Sequence, residues 1–276
     1  MGVTARPLRD ATGIARTFVW EGWVGARSYP SAFVVTQITM LIPIITYRFV
    51  AELVHAPPFQ VGGDYYAFVV LGLVTWRLMS GAGGMVATSL QEALDQGRFE
   101  MLFVQPVPRR LLPFALAQWP VTLRVANTAA GLGIAVLLGA QFRLEGFPLA
   151  FVILALGVGA TLAVAALVAS VTFIAKKSES VLRVYSLAAG LLAGVFYPIA
   201  VLPTWLRVFS YAIPDTYVIA AVRRLALPGG EAIPGPSPVT AILALIALNL
   251  VLLPLSAWVF GRALEFGRRT GTLGRY

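Results

Sequence analysis

The 276-residue chain is 58% apolar and 12% charged, with a mean hydropathy of +0.81. Soluble domains carry about 25% charged residues, so this composition excludes a water-soluble globular protein. Its net charge of +9 is spread over short loops and forms no single patch, which argues against nucleic acid as a partner. The chain has no cysteine, which excludes disulfides and thiolate metal sites.

The first residues interleave Leu8, Ile14, Phe18, Val19 and Trp20 with Arg6, Arg9, Arg16 and Arg27. That pattern predicts a helix lying in the membrane interface. No Ala-x-Ala-like cleavage site follows a compact apolar run, so a removed signal peptide is not expected. Ser28, Tyr29 and Pro30 provide a turn into the membrane. Six apolar stretches follow, at 31–52, 65–88, 111–139, 147–175, 181–200 and 237–261. Several exceed the ~20 residues that a helix needs to cross ~30 Å of hydrocarbon, and 147–175 carries no full charge. The prediction is an all-α integral membrane protein with six transmembrane helices. It forms one domain over 1–276, divided into an interfacial segment (1–30), a six-span region (31–261) and a tail (262–276).

Between the second and third stretches the chain reads SLQEALDQGRFEMLFVQPVPRR. Phe99, Leu102 and Phe103 fall at i, i+3 and i+4, one apolar stripe on a short helix. Pro106 and Pro108 stop that helix, and Arg109 and Arg110 anchor the next span. Such a helix, acidic and apolar at once, suits a groove on a soluble partner; packing against the protein's own membrane domain is the alternative. Between Phe196 and Leu227, Pro198, Pro203 and Pro214 divide an apolar stretch into pieces too short to cross a bilayer. Two short helices are predicted there, on the outer side. Phe196, Tyr197, Trp205, Phe209, Tyr211 and Tyr217 suit headgroup level, with Arg207 reaching lipid phosphate or water. These helices are either re-entrant, buried in protein or lining a polar path, or an ordinary loop on the membrane surface. Pro228–Pro238, rich in glycine and proline, reads as an outer loop.

The basic residues set an orientation. The N-terminal segment, the loops at 98–110 and 176–183, and the tail hold fourteen of them, against four at Arg143, Arg207, Arg223 and Arg224. The positive-inside rule then places both termini and the Ser89–Arg110 loop in the cytoplasm. Within the spans, Arg77 and Arg124 cost about 2.5–3.5 kcal/mol each unless paired or hydrated. Asn127 shares a helix face with Arg124, and Arg48 and Glu52 are spaced to pair. These residues are candidates for substrate translocation, for pairing at a subunit interface, or for snorkelling.

Several chemistries lack their residues. Lys176 and Lys177 are the only lysines and end no G-x-x-x-x-G-K motif, so this chain holds no phosphate-cradling Walker loop. The lone histidine, His55, has no ligand cluster around it, and no Ser-His-Asp set or H-E-x-x-H motif occurs. The chain is not expected to be an enzyme.

Three segments resemble the permease subunits of ABC-2-type exporters of drugs, lipids and polysaccharides. EALDQGRFEMLFVQPVPRR is similar to the family's E…G-x-x-E-x-L…P-x-x-R pattern. GVFYPIAVLPTWLRVFSYAIP resembles its G-x-x-x-P…L-P-x-W-L-R…P signature, and DTYVIAAVRRLAL with Arg223 and Arg224 follows directly. The resemblance implies a type V exporter fold, a homodimer or heterodimer of permeases, and two separate ATP-binding subunits that carry ATP and Mg2+. It assigns Glu92, Gly97, Glu100, Leu102, Pro106 and Arg109, beside Phe99 and Phe103, to coupling with the ATPase. It assigns Gly194, Pro198, Leu202, Pro203, Trp205, Leu206, Arg207 and Pro214 to an outer gate. The function implied is export of an amphipathic drug-like, lipid or lipid-linked substrate across the cytoplasmic membrane. An ion-driven secondary transporter without an ATPase is the alternative, and it calls for inverted repeats and discontinuous spans.

Overall fold

The stretch 147–175, without a full charge, becomes the helix around which the others pack. The structure, a computed structural model, describes Trp20 and residues 30–53, 65–95, 114–115, 117–175 and 178–269. Eight helices are used below: α1 (Pro30–Leu53), α2 (Tyr65–Asp95), α3 (Gln118–Leu137), α4 (Phe147–Ala175), α5 (Ser178–Leu192), α6 (Thr204–Tyr211), α7 (Pro214–Ala226) and α8 (Pro238–Arg269). Among the described residues there is no strand.

Helix α4 packs most extensively on α8, then on α2 and α7. Small side chains make this possible: Ala160, Ala163, Ala166 and Ala169 are all buried, so neighbouring backbones approach closely. A Cβ on Gly159 would come 2.6 Å from Asn249 Oδ1. Asn249 uses that proximity to tie two helices, its Nδ2 donating to Leu156 O of α4 and to Leu245 O of α8, both at 2.8 Å. The main core lies where α2, α4, α7 and α8 meet, with Tyr66, Val69, Met79, Ile153, Val218 and Leu245 buried.

The expectation of six transmembrane helices is corrected by the helix lengths. Among the described residues, three helices are long and apolar enough to cross a membrane: Tyr65–Ala82, Leu144–Ser170 and Pro238–Phe266. The stretch expected at 111–139 forms α3, whose apolar part runs only from Val121 to Leu137. The stretch expected at 181–200 ends as a helix at Leu192, leaving Arg183–Leu192 as its apolar part. There Gly194 turns to φ +75°, a left-handed conformation that stops the helix. In α1, Thr39, Pro43, Thr46, Arg48 and Glu52 interrupt the apolar run. The six-span, type V-like layout is therefore replaced by three long apolar helices surrounded by shorter or more polar ones. The interfacial helix expected before residue 30 lies outside the described residues, Trp20 excepted. So does the coupling helix expected around Phe99–Phe103.

Candidate functional site

The segment from Ala193 to Gly235 is built by its prolines and glycines. Gly194 takes φ +75°, and a Cβ there would come 2.9 Å from Tyr197 O. Pro198 is extended and precedes a single 3-10 turn, Ile199–Val201. Pro203 stands before α6, and its carbonyl accepts from Leu206 N and Arg207 N at 3.0 Å. Pro214 opens α7 at its first turn, where its missing N–H costs nothing. The chain thus makes two short helices and no continuous one through Pro203 and Pro214.

The two helices differ sharply in surroundings. Helix α6 is largely exposed, with Trp205, Val208, Phe209 and Tyr211 outward. Arg207 turns back on its own segment, Nη2 donating to Ala200 O at 2.8 Å and Leu202 O at 3.0 Å. Arg207 thus clasps its own backbone, a contact beside the expected reach toward lipid phosphate or water. Helix α7 is buried along most of its length and packs on α4, α8 and α2. Tyr217, expected at headgroup level, is half-buried against the core, its hydroxyl donating to Tyr211 O at 2.9 Å.

Two charges on α7 carry the strongest geometry. The buried Arg223 donates from Nε to Phe68 O at 3.0 Å and from Nη1 to Gly194 O at 2.6 Å, and its Nη2 donates to Val195 O. Its guanidinium lies 3.6 Å over the Phe68 ring, a cation–π contact strengthened by desolvation. Burial draws its pKa down to about 9, which leaves it charged at neutral pH. Glycine at position 72 makes the room: a Cβ there would meet the guanidinium and come 2.6 Å from Val195 O. Arg224 faces away, its Nη1 donating to Ile233 O and Gly235 O at 3.3 and 3.2 Å.

Eight residues earlier, buried Asp215 accepts a hydrogen bond from the Tyr185 hydroxyl at 3.3 Å. Burial pushes its carboxyl up to about 6, opposed by its own backbone N–H and by Tyr185. The folded chain therefore holds a proton that the unfolded chain has lost across about pH 4–6, and stability falls as pH rises through that window. Asp215→Asn, which can keep the tyrosine bond, is expected to stabilise the protein on the order of 2–3 kcal/mol at neutral pH. The gain should vanish near pH 4, as read from melting midpoints in detergent. Equal midpoints at both pH values would contradict a desolvated carboxylate.

Within the helices, Arg77 of α2 donates from Nη1 to Thr39 O of α1 at 3.2 Å. Arg124 of α3 lies against Gly81, where a Cβ would come 2.8 Å from its Nε. Gly81 stands one turn beyond Arg77, so the two arginines share one face of α2. Asn127 is buried one turn along α3. Arg48 pairs with Glu52 at 3.0 Å, as their spacing predicts.

The structure thus brings Gly194 to Arg223, and Arg77 to Arg124. Of the coupling residues, Glu92 lies in the last turns of α2. Gly97, Phe99, Glu100, Leu102, Phe103, Pro106 and Arg109 lie outside the described residues, as does His55. Sequence reasoning missed the roles of Asp215, Tyr185 and Arg223. The available signal was an acid and a base eight residues apart in an otherwise apolar stretch. Among the described residues, no group of three His, Cys, Asp or Glu side chains is placed to hold a metal ion.

Residues 64–271 match the model of a family described as ABC-2 family transporter protein. No curated protein matches the chain.

Proposed function

We propose, because the chain belongs to the ABC-2 family of transporter proteins, that it is the membrane half of an ATP-driven exporter of an amphipathic or lipid-linked substrate. As a member of that family it is a multi-pass membrane permease, a transport subunit without catalytic chemistry. The finer reading adds two ATP-binding subunits, which supply ATP and Mg2+, and a second permease, identical or homologous. The observation that carries it is the reach of α2. This helix is 31 residues long, about 45 Å at 1.5 Å per residue. One end is clasped by Arg223 through Phe68 O. The other leads through Glu92 into the segment bearing Gly97, Glu100 and Arg109.

A helix of that length transmits displacement as a rigid element. On this reading, closure of the partner ATPases on ATP moves the coupling segment. The movement is passed along α2 to the Gly194–Val195 turn, where it opens or closes the segment bearing Pro198, Pro203, Trp205, Arg207 and Pro214. Reconstitution with the ATP-binding subunits tests it: ATP should drive accumulation of substrate in inverted vesicles, whereas transport driven by an ion gradient without ATP would favour a secondary transporter.

The orientation belongs to the same proposal, with residence in the cytoplasmic membrane, the coupling segment and the C-terminus inside and Pro228–Pro238 outside. The basic residues of the 98–110 loop and of the tail, against none in Pro228–Pro238, support it. A cysteine introduced at position 234 is expected to react with an impermeant maleimide on intact cells, and one at position 272 only after permeabilisation. The reverse pattern would invert the topology.

A further inference from the structure

Arg77 and Arg124 form an arrangement that the helices do not complete. Arg77 lies within the apolar part of α2. Arg124 lies against Gly81. Gly81 stands one turn beyond Arg77, so the two cations share one face of α2, and neither has a carboxylate within ion-pair distance among the described residues. One backbone carbonyl, Thr39 O, accepts from Arg77. The Nε of Arg124 is buried without a hydrogen-bond partner.

Two like charges brought together in apolar surroundings are costly unless an anion neutralises them. A carboxylate from the chain would do so at Arg48, where Glu52 is supplied, or at Arg143, which meets Glu145 and Glu231. At Arg77 and Arg124 the described chain supplies none. Paired guanidiniums present planar forks suited to a tetrahedral anion with several acceptor oxygens. Long arginine side chains can reach toward a membrane surface, where an amphiphile's headgroup lies.

We propose that Arg77 and Arg124, between α1, α2 and α3, form a binding site for a phosphate-type anion, such as the headgroup phosphate of a membrane amphiphile. The site deepens the transport reading by naming a substrate class for it, yet binding is measurable without transport. Gly81 admits the Arg124 side chain, and Asn127 holds the neighbouring turn of α3 in the core.

The test uses the purified full-length chain, with any subunits that accompany it, in phosphatidylcholine nanodiscs. Binding of dansyl-labelled phosphatidylglycerol is read by energy transfer from the tryptophans. Loss of a charge-assisted hydrogen bond of about 1.5–3 kcal/mol corresponds to about tenfold or more in affinity. The double variant Arg77→Gln/Arg124→Gln is expected to show at least that loss, and the double lysine variant, which keeps the charge but not the fork, an intermediate one. Arg143→Gln should leave binding unchanged. If the double variant does not fold, the single glutamine variants decide, each expected to lose part of the affinity. Displacement of the probe by unlabelled phosphatidylglycerol but not by inorganic phosphate assigns a lipid headgroup. Displacement by both assigns a soluble phosphate-type anion at the same site. Affinity unchanged in the glutamine variants overturns the site while leaving the exporter reading standing, whereas a chain that binds the probe but never hydrolyses ATP with any partner overturns the exporter reading alone.

Discussion

Arg223→Leu is expected to be the most damaging single substitution in the described region. The guanidinium serves three carbonyls, those of Phe68, Gly194 and Val195. Among the described residues it is the one donor to the two turn carbonyls. A leucine relieves the desolvation of a buried cation but leaves these acceptors unsatisfied, at about 1–3 kcal/mol each, and removes the contact with the Phe68 ring. Breaking one side of a buried charged network typically costs about 3–5 kcal/mol. For a chain of this size that is roughly 6–20 °C in the melting midpoint. Arg223→Lys keeps the charge but replaces a planar fork by a single ammonium, so an intermediate loss is expected. Thermal unfolding of the purified variants in detergent checks both. A midpoint for the leucine variant within a degree or two of the parent would show that the clasp is incidental.

The second large effect is expected at the segment joining α2 to the following helices. Glu100→Arg, or replacement of Phe99, Leu102 and Phe103 by serine, should leave the chain inserted and folded but abolish most coupled turnover. If that segment docks in an ATPase groove, reversing its carboxylate sets like charges against one another and stripping its apolar stripe removes the anchor. Losses of about 2–5 kcal/mol are usual when buried interface partners are truncated, and these correspond to about 30-fold or more in affinity. The readouts are retention of the ATP-binding subunits during purification and substrate-stimulated ATP hydrolysis. Normal assembly with normal stimulation would remove this segment from the coupling role, whatever its resemblance to the family pattern.

What the sequence disclosed divides by the range of the physics involved. Proline chemistry is local, so Pro198, Pro203 and Pro214 announced short helices that the structure contains. Hydropathy is also local, and it correctly marked 147–175 as a long apolar helix. Span counting was less secure because apolarity does not fix helix length. The run at 181–200 looked continuous, yet a left-handed Gly194 ends its helix at Leu192. At 111–139 the long helix starts only at Gln118 and ends at Leu137, so its apolar part, from Val121, is short.

The site was legible only where partners were close in sequence. Arg48 and Glu52, four apart, were paired by spacing alone. Arg223 meets Phe68 and Gly194 across 155 and 29 residues, and no periodicity links those positions. The same holds for Tyr185 and Asp215, 30 residues apart. The Arg207 clasp was missed for the opposite reason. Its partners, Ala200 and Leu202, were near, but an exposed arginine among aromatics read as a headgroup contact and not as a clasp on its own turn.

The most direct measurement is affinity purification of the tagged chain from its native membrane, followed by ATPase assay of the eluate. The account predicts that ATP-binding subunits co-elute in equal number with the permease, that the complex hydrolyses ATP, and that both are lost with Glu100→Arg. Recovery of the chain alone, in a form that moves substrate on an ion gradient without ATP, would contradict it.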